Sequence, residues 1–448
     1  MASRRQIGLV MAFVEQQEIA VSAGRDDRGF STPFTRRNAV AMGLTLASGT
    51  LAAASARPAF ATPVRQSTPV SRAPGDDATA IVAIARDIME QQDVRAVILR
   101  VTIDGQEIMT AAVGESMTGV PATPDMHFRN GAVAISYMST LLLRLVDQQV
   151  VTLDDPLATW LPDLPDAELV TLRMLANMTA GYPDFVQNPR LSQEQYADPF
   201  QQWTPEEQIE IGLSTPRVFA PGTNWDYSHT NYVILGQALE KITGEPLEVA
   251  LQEQVLAPLG LRNTVAWSTP EISNPVLHAF TSERRQALSI PSSTRFYEES
   301  TYWNPSWTLA KGAIQTTDIV DMTASAVAIG EGTLLSPASH QAQIAPDLLG
   351  FGTPVAGCPN CHTLDETYSY GLGVVLSGDW ILQNPLFAGY GAVMAYLPAQ
   401  KIAIAVAATF GEGAFDEQGN YKYSSHAEIF AAIGTHLAPD HPLPMSRR

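Results

Sequence analysis

The chain has 448 residues, 45% of them apolar and 16% charged, and its 46 acidic and 27 basic side chains leave a net charge of −19. That length suits one large domain or two. The negative excess repels phosphate backbones and anionic lipid surfaces, which argues against nucleic acid as a partner and against a basic membrane-binding face.

The first 61 residues differ from the rest, with seven Arg and four acids for a net +3, which leaves −22 on the remainder. Thr35-Arg36-Arg37-Asn38 precedes a mild apolar run, Ala39 to Ala54, and Ala59-Phe60-Ala61 follows as an A-x-A cleavage pattern. Residues 1–61 are therefore predicted to be a cleaved export signal of the twin-arginine type. The run is too short and too weakly hydrophobic for a permanent anchor, and no other stretch is long enough to span a bilayer. The mature chain is expected to be exported without a membrane span, to the periplasm, the cell surface or the medium. Residues 62–77, rich in Pro, Ser and Thr, read as a linker that cannot bury a core. Residues 78–440 then form the domain.

From Ala78 a helical pattern carries Ile81, Ile84, Ala85 and Ile88 on one face. Val97–Ile103 and Gln106–Val113 flank Asp104-Gly105, a hairpin signal with a type I′ turn. Ala132 to Gln148 is apolar on nearly every side, which predicts a buried central helix. A helix is expected over Thr171–Met178, and loop-rich chain with helical pieces over 186–230. Further helices are expected over Tyr232–Ile242 and Leu247–Val255. Little periodicity follows from about 265 to 308. Strands are expected at Tyr370–Leu376, Ala392–Leu397 and Ile402–Thr409, and a last helix at His426–Leu437. This order predicts an α+β fold with a central antiparallel sheet built by the two chain ends, flanked by helices and adjoined by an all-helical region.

The two cysteines, Cys358 and Cys361, precede His362. A small disulfide-closed loop is the plain reading in an exported protein. Free thiols, or attachment of a c-type haem through Cys-x-x-Cys-His, are the alternatives. The eight histidines are scattered, with no i, i+4 pair, so no metal motif is present and no cofactor is expected. Trp203, Trp225, Tyr302, Trp303 and Trp307 are candidates to line a cleft or simply to pack.

Several segments resemble one family in order and spacing. Phe128-Arg129-Asn130-Gly131-Ala132-Val133-Ala134-Ile135 is similar to an F-R-x-G-S-x-T-K segment, and Thr171-Leu172-Arg173-Met174-Leu175 with Thr179-Ala180-Gly181-Tyr182-Pro183 to T-I-R-x-L-L-x-x-T-S-G-x-P. Pro221-Gly222, Tyr227-Ser228-His229 and Leu235-Gly236 resemble P-G, Y-S-N and L-G, and Pro258-Leu259-Gly260-Leu261 and Gly312–Asp318 also fit. The chain thus resembles the serine β-lactamase and penicillin-binding-protein family, which includes D-alanyl-D-alanine carboxypeptidases and esterases. The resemblance implies a sheet-and-helix domain beside an all-helical region, with the active site between them.

It also implies acyl transfer through Ser at the head of a buried helix and Lys three residues on, so that one helix face carries nucleophile and base. Those positions are Ala132 and Ile135, and no S-x-x-K occurs anywhere in the chain. The K/H-x-G position falls on Gln383-Asn384-Pro385, and the Asn of Y-S-N is His229; only Tyr227 persists. The first expectation is an exported, non-catalytic relative that uses a cleft lined by Ala132, Ile135, Tyr227, Ser228, His229 and Gln383 to bind a small molecule or peptide, cell-wall fragments included. The rival is a hydrolase with relocated groups, either Ser136 or Tyr227 and Ser228 aided by His229. A small haem protein is the third class.

Overall fold

The structure, a computed structural model, describes residues 74–267 and 269–444. The predicted signal over 1–61 and the linker up to residue 73 lie outside the described residues. The last four residues assigned to the linker belong instead to the first helix, which starts at Pro74. Proline suits a first turn, where its missing N–H has no partner to lose.

Helix α1 (Pro74–Gln92) leads into strands β1 (Val94–Ile103), β2 (Gln106–Met117), β3 (Val120–Pro121) and β4 (Phe128–Arg129). The helical stretch holds α2 (Val133–Asp147), α3 (Leu172–Ala176), α4 (Pro189–Ala197), α5 (Pro205–Leu213), α6 (His229–Thr243) and α7 (Leu247–Leu251), which runs into a π turn. Short strands β5 (Val265–Ala266), β6 (Phe280–Thr281), β7 (Glu298–Glu299) and β8 (Gln315–Thr317) cross the aperiodic region. Helices α8 (Ile319–Glu331) and α9 (Pro337–Ile344) follow. The chain closes with β9 (Ser369–Tyr370), β10 (Val375–Ser377), β11 (Trp380–Gln383), β12 (Leu386–Phe387), β13 (Tyr390–Leu397), β14 (Ile402–Phe410) and α10 (Ser425–Leu437).

The main sheet runs β3-β2-β1-β14-β13-β11-β10-β9, with β12 also paired to β13. Asp104 and Gly105 take φ of 49° and 73°, the left-handed pair that a type I′ turn needs. β1 then pairs on its other edge with β14, from Val97 opposite Ala408 to Ile103 opposite Ile402. The two ends of the domain therefore make the middle of one antiparallel sheet. β13 and β14 are buried along their whole length, so helices must cover both faces. Gly330 of α8 lies against the Tyr396 ring and Gly391 against the His426 ring of α10. Tyr396 and Gly391 are an odd number of positions apart on β13, which places α8 and α10 on opposite faces.

The expected strand Tyr370–Leu376 is a correction. It is two short antiparallel strands, with Val375 opposite Tyr370. Gly373 turns the chain at φ 72°, and a side chain there would collide with Ser139. Periodicity alone cannot see a turn built inside an apolar run.

Helix α2 is the centre of the molecule, with twelve of its residues buried, among them Val133, Ile135, Tyr137, Met138 and the Leu141–Leu143 run. Truncating one such leucine to alanine costs about 2–5 kcal/mol. Its polar groups are satisfied within the core: Tyr137 Oη pairs with Ser325 Oγ at 2.7 Å, and Ser139 Oγ with Tyr232 Oη at 2.7 Å. The N-terminus of this rigid helix faces the cleft described next. Among the described residues no helix is long and apolar enough to cross a membrane.

Candidate functional site

A cleft of about 140 Å³ opens at the head of α2, between the chain that follows β11 and the loops around α4 and α6. One wall is hydrocarbon. Gly131, Ala132 and Ile135 line it, facing Pro385, Leu386, Phe387 and Trp307. Ala132 occupies the N-cap position without any side-chain cap. The first turn is closed by backbone alone, with Val133, Ala134 and Ile135 N–H donating to Asn130, Gly131 and Ala132 at 3.1, 3.1 and 3.0 Å. Gly131 takes φ 48°, and a Cβ there would come within 2.6 Å of Pro385 and 2.7 Å of Phe387. The Phe387 ring meets Trp307 edge-on at 6.2 Å. The segment after β11 therefore leans directly on the helix head.

The opposite wall is polar and ordered. Asp184 accepts the backbone N–H of His229 at 3.0 Å, which anchors the start of α6, and the N–H of Val186 at 3.1 Å. A carboxylate at a helix N-terminus also complements the helix dipole. The same carboxylate takes His229 Nδ1 at 3.1 and 3.2 Å. The imidazole is thus fixed in one orientation, with Nδ1 against the carboxylate and Nε2 on the opposite edge of the ring. Thr230 completes the clamp, donating to Pro183 O at 2.6 Å and accepting from Phe185 N at 3.0 Å.

Tyr227 lies beside this pair, its ring edge-on to His229 at 5.3 Å and to Tyr370 at 6.0 Å. Burial, reinforced by the neighbouring tyrosines, pushes its hydroxyl well above the usual phenol range, so it stays a neutral phenol. Glu283 lines the far side, accepting from Thr281 Oγ1 at 2.6 Å and Tyr421 Oη at 3.1 Å. Burial raises its carboxyl above the ordinary range, an effect that these hydrogen bonds oppose.

Of the six cleft residues expected from sequence, Ala132, Ile135, Tyr227 and His229 line the cavity. Ser228 does not. It is 1% exposed, and its extended backbone turns its side chain away from those of its two neighbours. Gln383 does not either. It is buried, and Nε2 donates to Gly373 O at 2.8 Å, so the wall at this end is formed by Pro385, Leu386 and Phe387 instead. Ser136, offered as a shifted nucleophile, is fully buried and donates to Val133 O at 2.6 Å, the back-bond of a helical serine. Two other hydroxyl-bearing residues of the cavity are similarly engaged: Ser192 donates to Pro189 O at 3.1 Å and Thr308 to Pro305 O at 2.7 Å.

Cys358 and Cys361 form a disulfide, and no cysteine is free among the described residues. That overturns the haem alternative, because thioether attachment consumes both thiols. Trp307 lines the cleft and Trp203 a second cavity, whereas Trp225 and Trp303 are buried packing residues and Tyr302 is exposed. Sequence reasoning missed Asp184, Glu283, Leu386 and Phe387. Asp184 reaches His229 across 45 positions, a pairing that no local pattern announces.

The family model described as Beta-lactamase matches residues 81–428. Among curated relatives, penicillin-binding protein 4 of Amycolatopsis lactamdurans is 31% identical over 37% of this chain and 43% of its own length. The D-alanyl-D-alanine-carboxypeptidase/endopeptidase AmpH of Escherichia coli K12 is 30% identical over 38% of this chain and 45% of its own, and esterase EstB of Burkholderia gladioli 32% over 32% and 40%. The matched stretches span less than half of those relatives. Among solved structures, D-amino acid amidase from Ochrobactrum anthropi SV3 complexed with L-phenylalanine superposes with a TM-score of 0.65, covering 81% of this chain and 99% of that one at 21% identity. The octameric penicillin-binding protein homologue from Pyrococcus abyssi gives 0.63 at 19% identity, covering 82% and 79%. These structural likenesses speak for the fold. With its family-wide match laid over the sheet, the α2 head and the cleft, the chain belongs to the Beta-lactamase family.

Proposed function

We propose that this protein is an exported, non-acylating member of its family whose cleft binds a small ligand of the amino-acid or short-peptide kind. One observation carries the reading: the head of α2 offers a methyl group at Ala132 and a butyl group at Ile135, where acyl transfer by this family's route needs a hydroxyl beside an amine. A methyl cannot attack a carbonyl, and loss of a nucleophile in a triad enzyme costs roughly 10⁶ in turnover. The engaged hydroxyls of Ser136, Ser192 and Thr308 offer no substitute.

What the cleft does offer is recognition. Trp307, Phe387, Leu386 and Ile135 suit an aromatic or branched side chain, while His229 Nε2 and Glu283 can take amide or ammonium donors. The chain's negative charge favours cationic or neutral ligands. The solved amidase relatives hold L-phenylalanine, D-phenylalanine and L-phenylalanine amide, ligands of that chemistry. Cell-wall peptides fall in the same class. Export rests on Arg36-Arg37 and Ala59-Phe60-Ala61.

A second reading, a hydrolase with relocated groups, is favoured by the His229–Asp184 pair, which could deprotonate a water. Purified protein treated with a fluorophosphonate, a chromogenic β-lactam and p-nitrophenyl esters separates the two. Binding without catalysis gives no mass adduct and no turnover above buffer, with phenylalaninamide binding measurable by calorimetry. Ester turnover abolished by His229→Ala would establish the second reading instead.

A further inference from the structure

The disulfide lies beside a buried carboxyl group that the cleft does not use. Asp226 is 6% exposed, Cys358 7% and Cys361 4%. One carboxylate oxygen and the two Sγ atoms all lie within 4.8 Å of one another. The polar neighbours of Asp226 are the amide of Asn360 and a second carboxylate, Asp184. A buried acid beside another acid either keeps its proton, as burial favours for Asp226, or is joined by a cation.

The loop is shaped to present the trio. Gly350 N donates to Leu364 O and Leu364 N to Phe351 O, both at 2.8 Å, closing the base of the loop. Cys358 N donates to Val355 O at 3.1 Å and Cys361 N to Cys358 O at 3.3 Å, which tightens the turn around the sulfurs. Asn360, between the cysteines, donates to Tyr227 O at 3.2 Å and ties the loop to the residue after Asp226. His362 Nδ1 is engaged with Asn360 O at 2.6 Å.

We propose that Cys358, Cys361 and Asp226 form, in the reduced protein, a binding site for a thiophilic divalent cation such as zinc. Cys-x-x-Cys supplies two thiolates of a tetrahedral centre, whose Zn–S bonds of about 2.3 Å set the sulfurs about 3.8 Å apart. In the disulfide form the carboxylate oxygen and both sulfurs already lie within 4.8 Å of one another, so opening the S–S bond asks for only a small separation of the sulfurs. Exchange with a dithiol reductant supplies the two electrons and two protons that convert the disulfide to two thiols, and the reductant leaves as its own disulfide. The cation then displaces both thiol protons to solvent, Asp226 becomes the third ligand and water the fourth. The oxidised and reduced forms thus differ in whether they take metal. This proposal is independent of the reading of the cleft.

The test uses the protein expressed and purified under reducing, oxygen-free conditions, with two free thiols confirmed by titration. Cobalt(II) should give intense thiolate-to-metal charge-transfer bands saturating at one ion per chain, displaced by zinc, while the oxidised protein stays silent. Asp226→Asn should weaken binding about tenfold or more, and Asp226→Glu less. Should the Asn variant not fold, infrared difference spectra of the wild type carry the same test, through the aspartate carboxylate stretch shifting on zinc addition. Absence of the bands in folded, reduced protein would overturn the proposal. So would bands indifferent to Asp226→Asn, or an unmoved carboxylate stretch.

Discussion

The two walls of the cleft are built on different principles. The wall at the head of α2 is hydrocarbon packed on hydrocarbon, with Pro385 and Phe387 leaning on Gly131. The wall at the head of α6 is a charged network in which a single carboxylate, Asp184, orders two backbone segments and one imidazole. Both are helix N-termini with donors to satisfy. The first satisfies them with its own backbone and presents nothing reactive; the second recruits a side chain and presents a fixed imidazole. Ordering a polar group is therefore separable from the nucleophile that such order usually serves.

The comparison can be broken most severely at Asp184. Asp184→Ala removes the acceptor for three donors at a residue that is 7% exposed. The expected loss is about 3–5 kcal/mol in urea unfolding, together with phenylalaninamide binding. A loss below about 1 kcal/mol would mean that the polar wall does not depend on it.

Acid should act on the hydrocarbon wall. His426 contacts the backbone of Asn384, next to Pro385, and burial lowers its imidazole from 6.5 to about 4. The unfolded chain takes up a proton below pH 6.5 that the folded chain refuses until about pH 4. Stability is therefore complete above 6.5 and declines as pH falls through that window, by about 3 kcal/mol in all. Unfolding free energies measured between pH 7 and 4 should show that slope, flattened in His426→Leu.

Phe387→Ala should weaken phenylalaninamide binding about tenfold and cost about 1–2 kcal/mol of stability, because the ring is only part-buried. Unchanged affinity would remove this wall from recognition. Smallest of all, Tyr227→Phe should change stability by no more than about 0.5 kcal/mol, since its ring contacts survive. A larger drop by thermal denaturation would reveal a structural role for the hydroxyl.

Much of the framework was legible in the residues. Asp104-Gly105 announces its hairpin because few residues tolerate two successive left-handed conformations, and the apolar run from Val133 to Leu145 can only be a buried helix. The break in Tyr370–Leu376 escaped because Gly373 turns a run whose apolar character is continuous. At the cleft, counting along the chain finds which residue holds a position but not where its side chain goes. Gln383 turns to Gly373 and Ser228 turns inward, for reasons set by neighbours distant in sequence. Asp184, 45 positions from His229, belongs to the same class of fact.

The pairing of β1 with β14 also bears on how the protein is made. The first strand waits for a partner some 300 positions later, so during synthesis its edge stays open until that later stretch has left the ribosome. Such long-range closure is slow and exposes the nascent chain to aggregation. A chain cut short before Ile402 would leave the inner edge of β1 without its partner, an open edge of the kind that seeds association between chains.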